Sequence, residues 1–186
     1  YGSRASNGVV IISTKTGHDG APRLNVGAWV QRGEIPKYLK LMDAYDFAVT
    51  VNTQIANTSP APPAFTAAQL DGFKTNRGTD WQKAATRKPI VDNYEASISG
   101  GSPNSKYFFA FDYLNQPGIL LNQYFKRASV RSNLDFKVKD KLDLKFNVVV
   151  ALPFSRNTDY QGDSGDPFAS AVLFDPTAPI RNPATG

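Results

Sequence analysis

Four oxygen-bearing side chains, Asp159, Asp163, Ser164 and Asp166, crowd one short stretch of the chain. Oxygens at that density suit a hard cation such as calcium, although their spacing is not that of an EF-hand, and an ordinary polar turn has the same composition. His18 is the sole histidine and there is no cysteine, which argues against zinc held by nitrogen or sulfur and against histidine-based proton transfer. Gly2 and Gly8 are followed by no Gly-Lys-Ser/Thr, so they do not form a phosphate cradle. Trp29 and Trp81 are the only tryptophans. Either could stack on a sugar ring. The competing reading makes Trp29 a space-filling side chain and Trp81 an anchor that packs a loop. No nucleophile, base and acid stand in a recognisable set. The sequence argues for no enzyme and no cofactor.

The segments that must position these residues are mostly strands. Residues 9–12, Val-Val-Ile-Ile, are apolar at every position, as in a strand buried on both faces, and Asn7-Gly8 reads as a tight turn feeding it. His18 to Pro22 is a breaker-rich linker. From Arg23 to Gln31 the pattern alternates: Leu24, Val26, Ala28 and Val30 share one face, and Arg23, Asn25, Gly27, Trp29 and Gln31 the other. Alternation returns in Asn93–Ser99, in the aromatic run Tyr107, Phe109, Phe111 and Tyr113, in Arg127–Val138 and in Leu142–Leu152. Between the first two strands, Asp43 is placed to cap a helix running to Ile55, and Thr66 with Gln69 forms a capping box for a second. Asn115 to Gly118 reads as a turn, Lys139 to Lys141 as a hairpin, and Phe168 to Leu173 as one helical turn.

Composition narrows the class. The formal net charge is +5, but Lys and Arg are interleaved with Asp and Glu along the whole chain, without a basic block. No nucleic-acid partner is expected. No apolar run approaches the roughly 20 residues of a spanning helix. A transmembrane strand needs only about 9–11 residues of alternating polarity, which these segments supply. A soluble β-sandwich alternates too, with its apolar face in a core. Aromatics near strand ends (Tyr94, Tyr107, Tyr113, Tyr124, Phe125) and the length of the last two strands favour the membrane barrel. Connections that alternate long and short agree, and they put the Arg32–Val91 excursion outside the cell. Five strands cannot close a barrel, because single-chain examples begin at about eight.

The opening, YGSRASNGVVIISTKTG, closely resembles the end of the plug domain of TonB-dependent outer-membrane transporters, in the SusC/RagA branch. The resemblance continues in order. Pro36 to Phe47 looks like the segment after the first barrel strand, Thr79-Asp80-Trp81-Gln82 like a T-D-W-Q element, and Ser99 to Leu134 like the second to fourth strands. Pro176 to Pro183 resembles a late loop motif.

What the resemblance implies is an all-β chain, part of a plugged transmembrane antiparallel barrel of about 22 strands when complete, with short helices in an extracellular loop. Residues 1–17 would be the end of the plug, 18–22 a linker, and 23–186 the first five barrel strands with their loops. Tyr1, Gly2, Arg4, Asn7 and Gly8 would carry the plug signature and its contact with the wall. Arg4 would either pair with a carboxylate across that contact or stand solvated in the lumen. The implied activity is TonB-dependent import of oligosaccharides or peptides across the bacterial outer membrane. The implied partners are a SusD-like lipoprotein, TonB (through a segment before Tyr1), outer-membrane lipid and the imported ligand. A soluble β-sandwich that binds glycans through long loops is the alternative.

Overall fold

A computed structural model of the chain describes residues 14–157 and 167–181. Five long strands form one sheet in sequence order: β1 (Gly20–Arg32), β2 (Ile90–Ser102), β3 (Ser105–Pro117), β4 (Tyr124–Val138) and β5 (Leu142–Arg156). The β2–β3 hairpin is antiparallel, with Asp92 opposite Asn115 and Ser102 opposite Ser105. Gly101 at φ 151° makes its tight return possible, a backbone state that a side chain would strain. The β4–β5 return is a single 3₁₀ turn, Lys139–Lys141.

Each strand runs past the limits that its alternation suggests. β1 begins at Gly20, inside the breaker-rich segment, so Pro22 is strand rather than linker. Asn115 to Pro117 continues β3 instead of turning, and Pro117 is tolerated as the strand's last residue. β5 carries through Pro153 to Arg156. Period two identifies the middle of a strand, but ladder hydrogen bonds extend into neighbours of any polarity.

The sheet has one apolar face, and nothing among the described residues covers it. Val26 is 75 % exposed, Val130 50 %, Phe146 53 % and Phe154 63 %. Burying a Val or Phe side chain is worth about 1.5–3 kcal/mol, so a face of this size left in water would be strongly unfavourable. A sandwich would bury it under a second sheet, and no second sheet exists among the described residues. Along this face Phe136 on β4 meets Phe146 on β5 edge to face, with centroids 6.5 Å apart. The opposite face carries Asn93, Glu95, Asp112, Arg127 and Asn133.

A second compact unit comprises residues 31–91, 116–125 and the described part of 155–186, which take in one end of each strand. It holds α1 (Ala44–Thr58), α2 (Ala67–Asn76), α3 (Trp81–Ala85) and α4 (Pro167–Leu173). Local sequence accounts for most of these starts. The Asp43 side chain accepts from the Asp46 N–H at 3.0 Å, and Thr66 with Gln69 completes a reciprocal capping box. The helix α3, which the pattern does not reveal, is capped by Asp80, whose carboxylate accepts from Lys83 N. Ala44 and Ala48 are fully buried, their small side chains allowing α1 to pack closely.

Candidate functional site

The loop unit is clamped around residues 78–82. Gly78 (φ 73°) lies so close to the Pro176 carbonyl and to Ala44 that no side chain fits. Thr79 donates its backbone N–H to Pro176 O at 2.9 Å and its hydroxyl to Ala178 O at 2.8 Å. Trp81 donates Nε1–H to Asp175 O at 2.9 Å, and its ring meets Phe174 edge to face at 4.8 Å. Gln82, 2 % exposed, joins both backbone polar groups of Leu39. This short run thus ties the segment after β5 and the segment before α1 to one short helix.

A second tie involves Arg87. Its Nε donates to Gly118 O at 2.9 Å and its Nη2 to Gln123 O at 2.6 Å, while Arg87 N bonds Ile119 O and Leu121 N bonds Ala85 O. Connections after β1, β3 and β5, far apart in sequence, are therefore hydrogen-bonded into one unit.

Charge in this unit is paired locally. Arg77 lies 2.6 Å from Asp43 and Lys83 lies 2.8 Å from Asp80. The Asp46 N–H holds the Asp43 carboxyl below the usual carboxylate range, helped by Arg77 against the opposing effect of burial. Burial pushes Asp80 up, but its bonds to Lys83 outweigh that and leave it lowered, while the same contact raises Lys83. A groove of about 690 Å³ beside these residues is lined by Leu39, Met42, Phe47, Trp81, Leu173 and Phe174.

The polar face of the sheet has its own network. Asn93 donates to Asp112 Oδ2 at 2.7 Å, and Arg127 pairs with Asp112 Oδ1 at 3.1 Å, so three strands share one carboxylate. Gly27 lies against Glu95, which leaves that side chain room over β1. Glu95, Asp112 and Arg127 open onto a hollow of about 560 Å³ that Lys15 and Arg131 also line. Asn133, 3 % exposed, donates to the Lys15 carbonyl at 2.6 Å.

Of the residues the sequence singles out, Trp81 lines the groove with its indole N–H already engaged. Trp29 lies on β1 and is 46 % exposed. Tyr1, Gly2, Arg4, Asn7 and Gly8, together with Asp159, Asp163 and Asp166, lie outside the described residues. Among the described residues, no group of three or more His, Asp or Glu side chains is placed to hold a metal ion. Gln82, Arg87, Asn93 and Asn133 are structurally central yet carry no sequence signal beyond polarity, except that Gln82 ends the T-D-W-Q element.

Comparison with known proteins agrees with this architecture. The chain is 30 % identical over 98 % of its length to TonB-dependent receptor P26 of Formosa agariphila. It is 29 % identical over 97 % of its length to TonB-dependent receptor SusC of Bacteroides thetaiotaomicron. It spans 17–18 % of the length of these two relatives. Among solved structures, the RagAB peptide importer in its open-open state matches 88 % of this chain and 21 % of that one, with a TM-score of 0.67 and 25 % identity. No family model matches the sequence.

A one-faced sheet of this kind is wall of a plugged outer-membrane β-barrel. The chain resembles the SusC/RagA-type TonB-dependent receptors along nearly its whole length, and its place is the bacterial outer membrane. The relatives it matches are receptors and transporters, not enzymes.

Proposed function

We propose that the chain belongs to a transporter that imports oligosaccharides or peptides across the outer membrane, driven through TonB and working with a SusD-like surface lipoprotein. The observation that carries this reading is the uncovered apolar face running across five strands, backed by a polar face on which Asn93 and Arg127 share the Asp112 carboxylate. Lipid satisfies the first and a water-filled, plugged lumen the second. Likeness to the TonB-dependent receptor SusC and to the RagAB peptide importer supports the transport class, and the second name is in keeping with a peptide cargo.

In this reading residues 1–17 end the plug, the run expected as the linker, 18–22, is shortened by the start of β1 at Gly20, and the rest of the chain provides wall and extracellular loops. Tyr1, Gly2, Arg4, Asn7 and Gly8 form the plug's contact with the wall. Trp29 meets cargo from the wall and Trp81 from the loops, while any calcium is held by Asp159, Asp163 and Asp166. Deleting the gene and growing the strain on single glycans or peptides tests the proposal. Growth should fail on one nutrient class and return with the intact gene. Unimpaired growth of the deletion strain on every nutrient, or recovery of the protein in the soluble fraction of the parent strain, overturns it.

A further inference from the structure

The last residues of the plug-like opening and the two that follow do not leave the sheet as a free leash. Asn133 donates to the Lys15 carbonyl at 2.6 Å from a nearly solvent-free position. Gly17 lies flat on β3: a Cβ there would stand 2.6 Å from Tyr107 O and closer still to Tyr107 N. Asp19 pairs with Lys106 at 3.3 Å. Nearby, Phe108 is only 6 % exposed, and His18 Nε2 is shut off from solvent without a hydrogen-bond partner among the described residues. Two bonds, from Asn133 on β4 and from the Lys106 ammonium on β3, and the close approach of Gly17 to the β3 backbone thus hold one six-residue run.

We propose that residues 14–19 are a fixed mooring on the polar face of the sheet, with Asn133 as the residue that positions it. The proposal rests on the reading above in one respect, that this run is the junction where the plug's last residues pass into the wall. Its physical content is that the passage does not hinge at the wall. A backbone carbonyl met by a buried amide, next to a glycine that only an absent side chain lets approach, is a closely specified contact. Pull applied to anything before Thr14 is then delivered to β4 and β3 at Lys15 and Gly17, and displacement ends there. Asn133 touches no cargo in this account. It acts through the chain it holds.

The test uses the full-length receptor in lipid, with spin labels on cysteines replacing Thr16 and Lys145, the latter exposed on β5. A fixed mooring gives a narrow, single-peaked distance distribution between the labels. Asn133→Ala removes the amide donor and Gly17→Ala drives a methyl into Tyr107, so each should widen the distribution roughly 1.5-fold or more. Heat-modifiable gel mobility checks that each variant is an assembled barrel, and the two variants act from different partners, so one misfolding leaves the other decisive. A distribution already broad in the parent, or unchanged in the assembled variants, overturns the proposal. Since the distances are read without import, their failure leaves the transport reading intact, and a failure of import leaves the mooring intact.

Discussion

Gln82 and Leu39 form a closed two-way pair: Oε1 accepts from Leu39 N at 3.0 Å and Nε2 donates to Leu39 O at 2.9 Å. A side-chain amide both gives and takes at that spacing without carrying charge at any ordinary pH, which suits the position to glutamine or its near equals. Gln82→Ala leaves two backbone groups without partners and should destabilise the loop unit by roughly 1–3 kcal/mol. Gln82→Glu keeps the acceptor but loses the donor and buries a charge, so it should be worse than Ala despite its shape. Hydrogen exchange at Leu39 in the full-length receptor measures both. Equal protection in the parent receptor and the Gln82→Glu variant would count against the pairing.

Trp81 separates ring from N–H. Trp81→Phe retains the edge contact with Phe174 but abandons the bond to Asp175 O, and should cost about 1 kcal/mol of loop stability. Trp81→Ala removes both, for about 2–3 kcal/mol, less than a fully buried tryptophan would cost. Proteolytic nicking in the segment after α4 reads the difference. If Trp81 instead serves only cargo, neither change alters nicking.

Acid should loosen the same unit. Asp43 and Asp80 both titrate below the ordinary 3.8 when folded. Their contribution is therefore complete above about 3.8 and fades as pH falls through their lowered folded values. Lys83, raised above 10.5, contributes below that value and stops doing so as pH climbs past its own folded one. The cationic partners Arg77 and Lys83 stand largely in solvent, so the effects are small. Exchange rates in α1 and α3, corrected for intrinsic pH dependence, should rise at pH 3 relative to pH 6, and less so in the Asp43→Asn receptor.

These contacts mark the boundary of what the sequence discloses. Caps such as Asp43 and the Thr66–Gln69 box are readable because donor and acceptor lie within one turn of each other. The lipid face is readable because a strand exposes every second residue, so Leu144, Phe146 and Val148 announce their side without knowledge of any neighbour. Asn133 and Lys15 are not readable as partners, since only the folded sheet brings them together. The short helix α3 escapes because five residues are too few to show a period. Strand ends escape for a related reason: at Pro117 and Pro153 the ladder continues where composition suggests a stop.

A charge on the apolar face should be costly where the same charge on the other face is not. Val148→Arg should destabilise the assembled receptor by about 2–4 kcal/mol if it lies near mid-membrane. Asn147→Arg, one residue away on the opposite face, should be close to neutral. The fraction of heat-modifiable barrel after refolding into lipid compares them, and equal losses would contradict the assignment of faces.

The most direct test scans β5 itself. Spin labels placed one at a time from Leu144 to Leu152 in the full-length receptor, reconstituted in lipid, report contact with dissolved oxygen or with a water-soluble nickel complex. Oxygen contact should peak at Leu144, Phe146, Val148, Val150 and Leu152, and nickel contact at the residues between. Labels at the apolar positions that meet neither reagent, as in a protein core, would contradict the account.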